Sequence, residues 1–383
     1  MAYESSRDIM TVNVGFEVTE PRFSSGSTTL AIIAVLYKNN VSTVKLGKSD
    51  TRVALGDGAT STVFKTRFEE KDWEYHEALV AVKQKKRQGS YMTQDFSLDN
   101  WLRCCLNDLR IGSHPKLGSH PNIMEVLAIC WEYYEHNDVR SCSPCLVLRL
   151  SELGPLSKFV RSVPYLPEAS LIQHCADVLD GLKALHHYQV VHGDIKMENI
   201  LLFKDHRGEV RAKISDFSHS IFLDDNFDGN TTYIGTRPFY VPEIRKQQAA
   251  MRTTGRADTV ENLPACDIYA SGILFWTLLT QGNDVANTIA TLSPCHLIDR
   301  DVEDILEALG EDGLLQLCMR DLAEGILLPT TQIGRISQKA LTVFRNVFHS
   351  SLADDTTVRG SAASLLNLFN SLLRVEDAVA VNR

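Results

Sequence analysis

The run His192-Gly193-Asp194-Ile195-Lys196-Met197-Glu198-Asn199 gathers a carboxylate, an ammonium and an amide into one short stretch. Asp194 could accept the proton of an attacking hydroxyl. Lys196 could neutralise charge on a transferring phosphoryl group, and Asn199 could offer its carbonyl oxygen to a magnesium ion. A second acid, Asp216, ends the strand-like run Val210-Arg211-Ala212-Lys213-Ile214 and would add another hard oxygen ligand. Such a set suits metal-assisted phosphoryl transfer.

Elements able to hold these groups flank them. Apolar residues at Leu171, Cys175, Val178, Leu182 and Leu185 recur at helical spacing and predict a helix over 168–187 that ends just before the first run. Upstream, Thr51 to Leu55 and Ser61 to Lys65 read as two strands around Gly56-Asp57-Gly58, and Leu79-Val80-Ala81-Val82-Lys83 reads as a third. Trp101 to Ile111 predicts a helix, and Cys145 to Arg149 an inner strand that runs into a polar connector. The eight apolar residues Leu30 to Tyr37 are too few for a membrane span and read as a buried strand after a loop-like Ser24 to Thr29. Residues 1–45 otherwise form an extension without a motif, to which this run would contribute one added strand.

Composition narrows the function classes. With 383 residues, 44% hydrophobic and 23% charged, the chain can bury a large core in two lobes. A net charge of −9 argues against a nucleic-acid partner bound through a broad basic face, and Lys83-Gln84-Lys85-Lys86-Arg87 reads as a solvated strand end. Nine cysteines in no framework spacing, with Cys142-Ser143-Pro144-Cys145 a lone C-x-x-C, point to reduced thiols in a cytoplasmic protein, the nucleus being the second choice. Glu4 and Asp8 with no early apolar stretch do not read as a secretory signal.

The order of these motifs resembles that of the eukaryotic-type protein kinases, in the serine/threonine branch. His192 to Asn199 is similar to H-R-D-x-x-x-x-N, Asp216-Phe217-Ser218 to D-F-G, and Leu79 to Lys83 to the V-A-I-K strand. Gly56 to Ser61 looks like the Gly-rich hairpin, and Gly235 to Glu243 like the close of the activation segment. Cys266-Asp267 through Gly272 resembles the opening of the buried helix beneath the catalytic loop, and Arg359 lies where the family's arginine pairs with a residue such as Glu243. The His192 run with its doubled Ser-His-Pro turns is similar to kinases of filamentous fungi.

The resemblance covers about residues 50–372 and implies an α+β, bilobal fold. A β-rich N-lobe would span 46–150 and a mainly helical C-lobe 151–383, with ATP between them. It implies Asp194 and Lys196 as catalytic residues and Asn199 and Asp216 as ligands of Mg2+. ATP would be contacted by Leu55, Gly56, Gly58, Val63, Lys83, Asp108, Leu150 and Leu201, with Leu148 guarding the inner pocket. Lys196 and Thr236 favour a protein substrate with a Ser or Thr acceptor.

Four departures from the family pattern carry consequences. Asp108 stands for a glutamate, and Gly112 for a large apolar residue. If so, the helix over 101–111 would be loosely docked until something orders it. Ser218 replaces a glycine. Gly193 replaces the arginine that pairs with an activation-segment phosphate, so substitutions at Thr231, Thr232 or Tyr233 would change activity little. The departures keep open a weakly active or inactive scaffold, and H-G-D also occurs in small-molecule phosphotransferases of the aminoglycoside-kinase type.

Overall fold

The computed structural model describes residues 26–44, 52–58, 61–67, 79–86, 98–136, 139–223, 233, 235–236, 241–245, 262–283, 285–292, 305, 308, 312–324 and 335–381. Six strands build the first part: β1 (Ser42–Thr43), β2 (Val53–Asp57), β3 (Ser61–Arg67), β4 (Leu79–Lys85), β5 (Val126–His136) and β6 (Val139–Arg149). They form one sheet in the order β1-β5-β6-β4-β3-β2, antiparallel except for the β1–β5 pair. β4 is buried at four successive residues, Val80 to Lys83, as expected for a central strand. The register puts Gly56 opposite Val63, Val63 opposite Lys83, and Lys83 opposite Leu146, so three expected nucleotide contacts lie in one row across neighbouring strands.

Two helices cover this sheet. The strand expected over Leu30 to Tyr37 is instead part of α1 (Gly26–Lys38), which also takes in the end of the supposed loop before it. Thr29 and Ile32 are buried and Val35 and Leu36 pack inward, while Leu30, Ile33 and Tyr37 are exposed. That is a helical period. An unbroken apolar run has no polar residues to reveal its period, so the sequence alone could not separate the two states. The extension's pairing with the sheet comes from the two residues of β1. α1 lies against α2 (Leu98–Gly112), and together they bury Ile32, Trp101, Leu102, Cys105 and Leu109 with Ile129 and Leu146 of the sheet. The indole of Trp101 donates to the Pro144 carbonyl at 3.0 Å.

Past the connector the chain turns helical, with three small pairings: β7 (Gly154–Pro155) and β10 (Val210–Ile214) flanking β9 (Ile200–Lys204), and β8 (Val190–Val191) with β11 (Ile221–Phe222). The helices are α3 (Leu156–Ser162), α4 (Glu168–His187), α5 (Leu263–Leu279), α6 (Val285–Leu292), α7 (Gly313–Glu324), α8 (Gln338–Ser351) and α9 (Ala362–Val381). α5 is buried on nearly every face, and Phe275 meets Phe369 edge-on with ring centroids 5.8 Å apart. No helix among the described residues is long and apolar enough to cross a membrane.

α4 matters for the site because it grips β10, the strand that delivers Asp216. Asp177 accepts the Ala212 amide at 2.8 Å and pairs with Arg211 at 2.8 Å. Asn122 adds a bond from its side chain to the Ala212 carbonyl at 2.9 Å. One turn before Asp177, His174 is buried, with no hydrogen-bond partner for either ring nitrogen among the described residues. Burial, aided by the nearby Arg211 charge, lowers its pKa to about 4.

The unfolded chain therefore takes up a proton near pH 6.5 that the folded state refuses. The resulting loss of stability grows to about 2 kcal/mol by pH 5. Asp177 acts in the opposite sense: burial raises it to about 6, so the folded state holds its proton more tightly and gains as pH falls through that value. Removing the imidazole leaves only the second effect. The melting temperature of His174→Leu should therefore rise relative to wild type as pH is lowered from 7.5 to 5. Parallel melting curves of the two proteins across that range would show that His174 does not govern the acid limb.

Candidate active site

The site begins at Lys83 in the middle of the sheet. Its ammonium lies 2.6 Å from Asp108 Oδ2 of α2 and 2.7 Å from Asp216 Oδ1 beyond β10. Burial works against the charge on Lys83, but the two carboxylates outweigh it and hold the lysine protonated, its pKa above the usual lysine value. Asp108 feels burial most, which pushes its carboxyl up against the pull of Lys83. Asp216 is held well below the ordinary carboxylate range: the ammonium of Lys83 overcomes its burial, and Ser218 adds a hydrogen bond. The Asp216 side chain keeps 40% of its surface open, as a group meant to meet a ligand would.

Asp108 does more than pair with Lys83. Its second oxygen accepts the Phe217 amide at 2.7 Å, and the neighbouring Asn107 reaches the carbonyls of Ser218 at 3.4 Å and Ser220 at 3.1 Å. The helix is thus tied to β4 and to the segment after β10, and the expectation of a loosely docked helix is corrected. Gly112 explains how the shorter aspartate suffices. A Cβ there would stand 2.6 Å from Val126 Cγ2 and 3.0 Å from the Val126 backbone nitrogen. The absent side chain lets the end of α2 close onto β5, which offsets a carboxylate about 1.5 Å nearer its own backbone.

Asp216 has φ of +62°, a left-handed turn that few side chains adopt. Ser218 steadies it by donating its hydroxyl to Asp216 Oδ1 at 2.7 Å, a contact that a glycine could not make. Phe217 is buried and meets the His192 ring edge-on at 5.5 Å.

The run from His192 to Asn199 closes on itself. Asn199 donates its amide to the Asp194 carbonyl at 2.8 Å and to Asp194 Oδ2 at 3.1 Å, which leaves the amide oxygen of Asn199 for another ligand. Lys196 lies 2.7 Å from Asp194 Oδ2 and 2.8 Å from Thr236 Oγ1, and the Thr236 hydroxyl donates to Asp194 Oδ1. Beneath it, Asp267 at the start of α5 accepts the His192 amide at 2.7 Å and the Gly193 amide at 3.0 Å, with the His186 ring at 3.0 Å. Burial would raise the Asp267 carboxyl, yet His186, His192 and the Gly193 amide together hold it below its usual value.

Gly193 is a backbone requirement. Its φ is +84°, and a Cβ would fall 2.3 Å from the His219 carbonyl oxygen, so no arginine fits there in this conformation. Thr231 and Thr232 lie outside the described residues. Tyr233 is described and buried, with its hydroxyl 3.2 Å from Asp267 Oδ1. Tyr233 is thus enclosed and hydrogen-bonded, which places it apart from an open acceptor for phosphate.

The remaining expected contacts fall around this centre. Leu55 is exposed on β2, Val63 is half-buried on β3, and Gly58 caps the hairpin by donating to the Ser61 carbonyl at 2.8 Å. Lys86, which sequence reasoning left in a solvated run, braces that hairpin through the Gly58 carbonyl at 3.1 Å and Asp57 at 2.9 Å. Leu150 begins the connector and Leu201 sits on β9, both half-buried. Ser151 ties the connector to β9 by donating to the Leu202 carbonyl at 2.5 Å. Leu148 of β6 packs between the two parts. Farther off, Glu243 and Arg359 form the expected pair, with two bonds of 2.7 and 2.9 Å.

No group of three or more His, Cys, Asp or Glu among the described residues could hold a metal by itself. A magnesium ion that takes one or two protein oxygens and draws the rest from phosphate and water fits the open Asp216 carboxylate and the free Asn199 oxygen.

Residues 50–316, well over half of the chain, match the protein kinase domain family. The chain is similar to the serine/threonine-protein kinase zyg-8 of Caenorhabditis elegans, 30% identical over 35% of this chain and 15% of that protein. Over 30% of this chain and 31% of the other it is 34% identical to mitogen-activated protein kinase kinase 1 of Arabidopsis thaliana. With the mitogen-activated protein kinase kinase kinase dlk-1 of Caenorhabditis briggsae it shares 26% identity over 44% and 17%. The chain thus spans less than a third of the length of each of these relatives.

The compensation between Asp108 and Gly112 can be tested by exchange. Gly112→Leu should push α2 off β5, break the Lys83 pair and weaken nucleotide binding by about tenfold or more, as loss of a buried ion pair implies. Adding Asp108→Glu should recover part of that loss. If the double variant binds no better than Gly112→Leu alone, the two positions do not compensate one another.

Proposed function

This chain belongs to the protein kinase family, and we propose that it transfers the γ-phosphoryl group of magnesium-bound ATP to a Ser or Thr hydroxyl of a protein substrate. The observation that carries this reading is the paired arrangement of Asp194 and Asp216. One carboxylate is fixed by Asn199, Lys196 and Thr236, and the other is held ionised by Lys83.

In this reading Asp194 orients the acceptor hydroxyl and receives its proton. Thr236, which donates to the same carboxylate oxygen, marks where an incoming hydroxyl would bind. Lys196 lies within reach of the group in flight and balances its charge. Lys83 holds the α- and β-phosphates, with Asp108 fixing its direction. Asn199 and Asp216 are the residues that would hold magnesium, which when bound would help neutralise phosphate charge. Leu55, Gly56, Gly58, Val63, Leu150 and Leu201 would enclose the nucleotide between the sheet-rich lobe, about 46–150, and the helical lobe, about 151–383. The cysteine usage, mostly buried free thiols, favours a cytoplasmic setting.

The scaffold alternative draws on the four departures, but each is accommodated. Asp108 makes its ion pair, Gly112 permits it, Ser218 supports Asp216, and Gly193 suits its backbone. Small-molecule phosphotransfer is disfavoured by Thr236 sitting against Lys196 and Asp194 near the close of an activation-type segment.

Purified protein should phosphorylate a generic basic protein on Ser or Thr only when magnesium is present. Asp194→Asn and Asp216→Asn should each cut the rate by about a hundredfold or more. Equal trace activity in wild type and both variants would favour the scaffold, and turnover confined to aminoglycosides or choline would favour the small-molecule class.

A further inference from the structure

Resting on that reading, we propose that Tyr233 is a positioning residue that anchors the activation segment to the catalytic loop without phosphorylation, through the carboxylate of Asp267. Its phenol is 2% exposed and lies 3.2 Å from Asp267 Oδ1. The same oxygen accepts the Gly193 amide at 3.0 Å, and the other oxygen accepts the His192 amide at 2.7 Å. One buried carboxylate, fully enclosed at the start of α5, therefore holds the backbone of the catalytic loop and a side chain of the activation segment together.

The next described residues extend the link. The Gly235 amide donates to the Gly193 carbonyl at 3.0 Å, and Thr236 completes the contact with Lys196 and Asp194. Each described residue from 233 to 236 thus bonds to the loop that carries Asp194 or to the carboxylate beneath it. An arginine at 193 bound to a phosphate would have to do the same work from outside. Here the backbone at 193 excludes any side chain, because a Cβ would strike the His219 carbonyl at 2.3 Å. Burial raises the Tyr233 pKa, and the charge of Asp267 adds to it, so the phenol stays a neutral donor to an ionised acceptor. Burial also removes this hydroxyl from the reach of a modifying kinase.

Tyr233→Phe deletes the donor and keeps the ring. The variant should melt somewhat below wild type, because the buried Asp267 carboxylate loses one donor, and keep its KM for ATP, since the Lys83 site is untouched, while kcat falls about tenfold or more, as loss of a hydrogen bond to a charged group implies. An unchanged kcat, or kcat and KM that change together, would overturn the anchor.

Amide exchange on wild-type protein provides an independent check should the variant fold poorly. The Gly235 and Gly193 amides should show similar protection in unphosphorylated protein, and a freely exchanging Gly235 beside a protected Gly193 would also overturn it. Absence of phosphoryl transfer by the wild type would count against the kinase reading, whereas the exchange pattern judges the anchor by itself.

Discussion

The ammonium of Lys83 is the point on which the two parts of the molecule depend. A buried lysine charge is costly unless it is paired, and here it is paired twice, with Asp108 of α2 and with Asp216 after β10. These carboxylates come from elements far apart in sequence. The charge can be satisfied only when the helix sits on the sheet and β10 is in place, so the lysine reports on the assembly of the whole site. Asp108 extends the dependence through the Phe217 amide, and α1 closes the outer side of α2 through Ile32.

A second buried charge plays the corresponding part in the helical region. Asp267 gathers two backbone amides, a histidine ring and a tyrosine hydroxyl around a carboxylate with no exposure to water. Between these two charges lies the stretch from His192 to Asn199, whose internal bonds aim Asp194 and leave the Asn199 oxygen free. The site is thus assembled from fixed, buried contacts, and these are the ground for proposing that it calls for no added phosphate. Gly193 and Gly112, which look like losses when compared with the family pattern, are the residues that permit the close approaches.

Much of this was legible in the sequence because the motifs act locally. Asp194, Lys196 and Asn199 lie in one run, and the period of Leu171 to Leu185 predicts α4 between its observed ends. What stayed hidden depends on distance. The helix at Gly26–Lys38 could not be told from a strand, since its apolar run is uninterrupted and only packing against α2 selects the exposed face. The docking of α2 has no local signal, because the space beside Val126 that lets Gly112 approach belongs to a separate strand, β5. Tyr233 gives no local sign that its ring is enclosed. Its burial follows from Asp267, which lies in a different element and carries no local signal of its partners.

The most direct test of this account is the initial rate of γ-phosphoryl transfer by protein stripped of phosphate with a phosphatase. If buried contacts assemble the site, the stripped protein should label Ser or Thr of a protein substrate at the same initial rate as untreated protein, in the presence of magnesium. A rate that collapses after phosphatase treatment and returns with rephosphorylation would contradict it.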